Sequence, residues 1–195
     1  LIEMDVSLFK ALNGAHNVFF DWFFLIVTQL GSGWVFAPAF FVLFWLKIPR
    51  EKLLVTIIVV ALAISASGIL NAVIKSAVRR DRPLTHFENP PGTEMTSAES
   101  FKPHVVGPRH RFRSFPSGHT NSAFAAATVL VFLFGRKWLF SFIAAAVVGY
   151  SRIYLGIHFP LDVLVGALLA ITTTGAVLCI ADKLFRFKGA QDATS

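Results

Sequence analysis

Twenty-two consecutive residues, Leu53 to Ile74, carry no charged side chain. A helix needs roughly 20 apolar residues to cross a hydrocarbon core about 30 Å thick, so this run alone points the chain toward lipid. The rest of the sequence agrees. The hydrophobic share is 55% and the mean hydropathy +0.65, with apolar residues in long blocks and not in amphipathic stripes. Apolar character resumes from Thr120 to Phe134, from Trp138 to Tyr150 and from Leu161 to Leu184. Two shorter blocks come first, Val18 to Leu30 and Val35 to Leu46, joined by Gly31-Ser32-Gly33. They read as a helical hairpin that crosses twice or dips in and returns. The expected fold is all-α, a polytopic bundle of six transmembrane helices in one domain covering residues 1–195. Residues 84–114 form one large extramembranous loop, residues 185–195 a polar tail, and residues 1–17 a surface helix with a turn.

The net charge of +7 does not imply a nucleic-acid partner, because most cations stand at the ends of apolar blocks, where anionic headgroups and the cytoplasmic bias toward Lys and Arg explain them. Glu3 and Asp5 argue against a cleaved signal peptide. The lone Cys179 leaves no intrachain disulfide. Six crossings put residues 47–52, the turn at 135–137 and the tail on one basic side, read as cytoplasmic with both termini. A second set of cations, Lys75 through Arg113 plus Arg152, then lies on the outer side. Something negative is expected there. No internal repeat, heptad or nucleotide-cradling glycine motif is present.

Three polar stretches interrupt the apolar blocks on that side. In Ser151 to Asp162, the carboxylate follows His158 by one helical turn, so it can fix the imidazole tautomer and leave the other nitrogen as nucleophile or base, beside the donor fork of Arg152. A loop whose charged groups merely pair with one another is the plainer reading. In Lys75 to Pro83, a helix continued past the membrane puts Lys75 and Arg82 within about 20° of one face, with Arg79 between them. Pro116-Ser117-Gly118-His119 precedes a helix and is a cap, an anion site with a histidine beside it, or both.

Together these stretches resemble the three-part signature of the type 2 phosphatidic acid phosphatase superfamily, in its integral membrane lipid phosphate phosphatase branch. Lys75 is followed after six residues by Arg82-Pro83; Pro116-Ser117-Gly118-His119 is next; Ser151-Arg152, His158 and Asp162 complete it, with no departure at any position. The resemblance implies that His158 attacks phosphorus, Asp162 orients it, and His119 protonates the leaving group and then activates water. It also implies that Lys75, Arg82, Arg152, Ser117 and Gly118 hold the phosphoryl oxygens. Arg79, Arg109, Arg111 and Arg113 would meet a headgroup. No metal or cofactor is implied, since three fixed cations disfavour another cation even though two histidines and a carboxylate imitate a metal triad. The expected substrates are membrane lipid phosphates or diphosphates. Lipid-to-lipid phosphotransfer from the same site, or transport without catalysis, are the alternatives. The expected location is a bacterial cytoplasmic membrane, with the site facing outward; oligomeric state is not legible. The remaining histidines, His16, His86, His104 and His110, read as solvated loop residues.

Overall fold

The computed structural model describes residues 2–88, 101–109 and 111–186. Eight α-helices follow one another: α1 (Ile2–Gly14), α2 (Val18–Val27), α3 (Gly33–Lys47), α4 (Arg50–Val78), α5 (Pro83–Glu88), α6 (Gly118–Phe134), α7 (Phe140–Tyr154) and α8 (Pro160–Phe185), with no strand among the described residues. By length and composition, α4 and α8 can each cross a membrane, and α2 with α3 qualifies when that bent pair counts as one span. The later apolar blocks thus form the expected helices, although α6 and α7 have only 17 and 15 residues.

The first two blocks behave differently from expectation. α2 and α3 meet at 61°, too open for a hairpin. Their contacts run in one direction: Asn17 meets the Tyr154 hydroxyl, Thr28 meets Arg152, Gly31 abuts His119, and Phe44 packs near Leu133 and Phe134. The pair makes a single broken descent beside α6 and α7. With that pair counted as one, five rods run between the ends of the bundle among the described residues. Asp5 of α1 bonds to Leu161 at the end that carries the polar motifs, whereas Lys52 bonds the Arg186 carbonyl at the opposite end. The first and last described segments lie at opposite ends of the described bundle. The cause is the turn Gly31-Ser32-Gly33, which bends the helix axis without reversing it.

α6 occupies the centre, packed against α4, α7 and α8. Its inward residues are small, with Ala123, Ala125, Ala126 and Ala127 all buried, and α8 answers with Gly166, Ala167 and Ala170. Lipid tails are as apolar as leucine, so helices in a membrane associate through close backbone approach and interhelical hydrogen bonds. Asn121 of α6 bonds Ser67 of α4 at 2.9 Å and reaches the Gly166 carbonyl at 3.4 Å. The small residues anticipated on α4 act as expected at Ala63 and Ser67, both fully buried, while Gly68 faces open space. Large apolar side chains such as Leu54, Leu62, Ile143 and Ile180 cover the outside.

Gly166 matters most for the site, because a Cβ there would stand 2.7 Å from the Ser117 carbonyl oxygen. Only glycine lets α8 lie against the start of α6. We expect Gly166→Val to push these backbones apart and lower the melting temperature in detergent, with activity falling in parallel, since overpacking costs about 1–3 kcal/mol.

Candidate active site

α4 does not continue through the first motif. It ends at Val78, with Arg79 as a left-handed cap at φ 50°. Pro83 begins α5, and the residue before a proline is disfavoured in helical conformation, so the chain has to leave the helix before Arg82. This corrects the single-face reading of Lys75, Arg79 and Arg82. Arg79 is exposed, and its Nε donates to the Ser76 carbonyl. Arg80 turns inward in its place, donating through Nη1 to Asp162 Oδ1 at 2.7 Å and through Nη2 to Asp5 Oδ2 at 2.6 Å. Arg82 still reaches the site, with Nε on the Phe112 carbonyl at 3.0 Å and Nη1 on the Ile157 carbonyl at 3.4 Å. Lys75 Nζ donates to the carbonyls of Arg113 and Ser114 at 2.9 and 3.4 Å.

The segment leading into the second motif contributes backbone as well as exposed side chains. Arg109, Arg111 and Arg113 are all exposed, and Arg111 pairs with Glu88 at 2.9 Å. The carbonyls of Arg111 and Arg113 hold the Arg82 amide and Lys75. Ser114 is fully buried and donates its hydroxyl to Asp162 Oδ2, while also lying 3.4 Å from His158 Nδ1. Ser117 caps α6: its oxygen accepts from the Thr120 hydroxyl at 2.9 Å and the Thr120 amide at 3.5 Å, leaving its own proton to donate. Its amide donates to the Asp162 carbonyl at 2.9 Å, so the second and third motifs are joined directly. Gly118 and His119 open α6, where the first-turn N–H groups and the helix dipole favour an anion. Gly31 lies so close to His119 that an added Cβ would be 2.9 Å from the histidine Cβ.

In the third motif, α7 ends at Tyr154 and the chain folds back until the amides of Ile157 and His158 both donate to the Arg152 carbonyl. Every residue from Ser151 to Phe159 is buried. Arg152 donates through Nη1 to Thr28 Oγ1 at 2.5 Å, and its buried Nε has no partner among the described residues. Pro160 starts α8, and Asp162, in the first turn, accepts the Phe159 amide at 2.9 Å. His158 Nδ1 stands 3.6 Å from Asp162 Oδ2, so the expected carboxylate contact is present as a close pairing to which Ser114 also belongs. Burial holds the His158 imidazole down to about 3, reinforced by Arg82 and Arg152 and opposed by Asp162. It is neutral at physiological pH. With Nδ1 turned toward Asp162 and Ser114, Nε2 is the nitrogen left for chemistry.

Two other expectations change. His104 is half-buried, bonding Asp21 at 2.8 Å and stacking on His16 with ring centroids 3.8 Å apart, and His86 packs edge-on against Phe159. His110 lies outside the described residues. Asp5, Arg80, Ser114 and Thr28 were given no role at the site from the sequence. Pro83 was a partial signal, since it disfavours helical conformation at Arg82; nothing local marked the left-handed turn at Arg79 or the others.

Known proteins resemble this chain over most of its length. A lipid A 4'-phosphatase of Bacteroides thetaiotaomicron is 32% identical over 87% of this chain and 73% of its own length. An undecaprenyl-diphosphatase of Sulfolobus acidocaldarius is 28% identical over 86% of this chain and 74% of its own. The crystal structure of Aquifex aeolicus LpxE superposes with a TM-score of 0.69 at 33% identity, covering 89% of this chain and 93% of that one. The family model of the PAP2 superfamily matches residues 53–186, a span that holds all three polar motifs and four of the five rods, so the chain belongs to that superfamily.

Proposed function

We propose that this chain is a membrane phosphatase that removes the terminal phosphate of a lipid phosphate or diphosphate through a phosphohistidine at His158. The observation that carries the reading is a buried imidazole, kept neutral by its burial, beside Arg152, whose buried Nε has no partner among the described residues. A neutral nitrogen can attack phosphorus, and a fixed guanidinium meets the charge on the equatorial oxygens. In the first step His158 Nε2 gives its lone pair to phosphorus, the bond from phosphorus to the lipid oxygen breaks, and His119 gives that oxygen a proton. Asp162 and Ser114 hold the Nδ1 side as charge develops on the ring. Water then attacks phosphorus while His119 takes its proton; the N–P bond breaks and inorganic phosphate leaves. Lys75, Arg82, Arg152, the Ser117 hydroxyl and the first turn of α6 neutralise the phosphoryl oxygens throughout.

The Asp162 oxygens are already engaged by Arg80, Ser114 and the Phe159 amide, which supports a reaction without a metal. The basic end of the bundle, with Lys47, Arg50, Lys52, Arg136, Lys137 and Lys183, suits the cytoplasmic side of a bacterial membrane. The site then faces outward, where a lipid can keep its chains in the bilayer.

The test is phosphate release by purified protein from lipid A, undecaprenyl diphosphate, phosphatidylglycerol phosphate and phosphatidic acid. We expect turnover of at least one lipid without an added acceptor, undiminished by EDTA and lost in both His158→Ala and His119→Ala. Release only when a second lipid is supplied would make the protein a phosphotransferase, and loss on chelation would overturn the metal-free mechanism.

A further inference from the structure

We propose that Asp5 and Arg80 are positioning residues through which α1 holds the Asp162 carboxylate and the start of α8 in their working geometry, an inference that rests on the phosphohistidine reading above. Pro160 has no amide hydrogen to offer, and the residue before it, Phe159, has no side-chain acceptor. The Leu161 amide at the start of α8 would therefore lack a local cap. Asp5 supplies it from 156 residues away, with Oδ1 accepting the Leu161 amide at 2.8 Å. The other oxygen, Oδ2, takes Arg80 Nη2 at 2.6 Å, and the same guanidinium gives Nη1 to Asp162 Oδ1 at 2.7 Å. One carboxylate thus fixes both the backbone that carries Asp162 and the cation that orients its side chain.

The surroundings leave this unit little freedom. Asp5 is 6% exposed and Asp162 fully buried. The guanidinium carbon of Arg80 sits 4.3 Å from the centroid of the Phe159 ring, which packs in turn on Phe9 of α1 at 5.2 Å. A planar fork can bond two carboxylates at once, whereas an ammonium is a point charge on a flexible stem. Without Arg80, two close carboxylates would face each other unshielded. Without Asp5, Arg80 would keep one anchor and the first turn of α8 would lose its cap. In each case Asp162 shifts relative to His158, and misplacement of a reacting group by about 1 Å can cost on the order of 100-fold in rate.

The experiment measures kcat and KM for phosphate release by the full chain, using a lipid from the panel above, for Asp5→Asn, Arg80→Gln, Arg80→Lys and the double variant Asp5→Asn/Arg80→Gln. Asp81→Asn, an exposed neighbour, controls for charge. We expect kcat to fall about 10- to 100-fold in Asp5→Asn and Arg80→Gln with KM within about 2-fold. Arg80→Lys should recover part of the loss, Asp5→Asn should add little in the Arg80→Gln background, and Asp81→Asn should match wild type. Thermal unfolding in detergent, read over the same four-member cycle, should show non-additive losses, because residues of one network couple. Wild-type kcat in Asp5→Asn, additive effects, or a loss confined to KM would overturn the relay while leaving the phosphatase reading intact. Should Asp5→Asn fail to fold, unimpaired kcat in Arg80→Lys would overturn it alone. Phosphate release that survives His158→Ala would overturn the reading on which the relay rests.

Discussion

His158→Gln should lower phosphate release at least about 10⁴-fold, the scale seen when a covalent nucleophile is removed, while making the protein less sensitive to acid. Both outcomes come from one property of the residue. The wild-type imidazole is buried and held down to about 3, whereas an unfolded histidine titrates near 6.5. Between those values the unfolded chain binds the extra proton and the folded chain does not. Stability contributed by neutral His158 is therefore fully present above pH 6.5 and declines as pH falls toward 3. Melting temperatures at pH 7.5 and pH 5 should separate in the wild type and draw together in His158→Gln. If the two proteins lose stability equally on acidification, His158 is not the buried neutral group described. The catalytic half has its own check, because glutamine keeps polarity and approximate size but cannot form the phosphorylated intermediate.

Arg152→Lys should cost roughly 10³-fold in kcat, within the range for losing an arginine that stabilises transferring phosphoryl charge. The charge survives this substitution, so a simple requirement for positive potential predicts a small effect. Geometry predicts a large one. The guanidinium is held by Thr28 through Nη1, and its buried Nε has no partner among the described residues. Lysine has no second nitrogen with which to bond Thr28 and a phosphoryl oxygen in one plane. A steady-state comparison of Arg152→Lys with Thr28→Val separates these contributions: the lysine variant should lose far more, and the valine variant should respond only through loosening of Arg152. Near-normal kcat in Arg152→Lys would show that charge alone suffices.

Much of the site was legible because its signals are local. Pro116-Ser117-Gly118-His119 announces a helix start, and the four-residue step from His158 to Asp162 places the carboxylate within reach of the ring after Pro160 opens α8. The failures share a different character. Arg79 was placed on one face with Lys75 and Arg82 by continuing the helix to Arg82, and the left-handed cap at Arg79 turns Arg80 toward Asp162. Arg111 and Arg113 were read for their charges, and their side chains are exposed, but their carbonyl oxygens also bind Arg82 and Lys75, which no charge count foretold. Periodicity describes side-chain direction within regular elements and says nothing about backbone groups in irregular ones.

The sequence by itself determined that the chain is built of apolar helices suited to a membrane and roughly where the later ones lie, and it brought forward the histidines, cations and carboxylate proposed to share one chemistry. Those readings follow from uninterrupted apolar length, from proline and serine at helix starts, and from the resemblance of three short stretches to a known signature. Only the tertiary structure decided that α2 and α3 make one broken descent, that α1 lies at the site end, and that Asp5, Thr28, Arg80 and Ser114 complete the constellation. Asp5 and Asp162 are brought to one guanidinium by the packing of α1 against α7 and α8. Contacts between residues so far apart along the chain depend on how the helices approach one another, and small buried residues such as Gly166 set that approach.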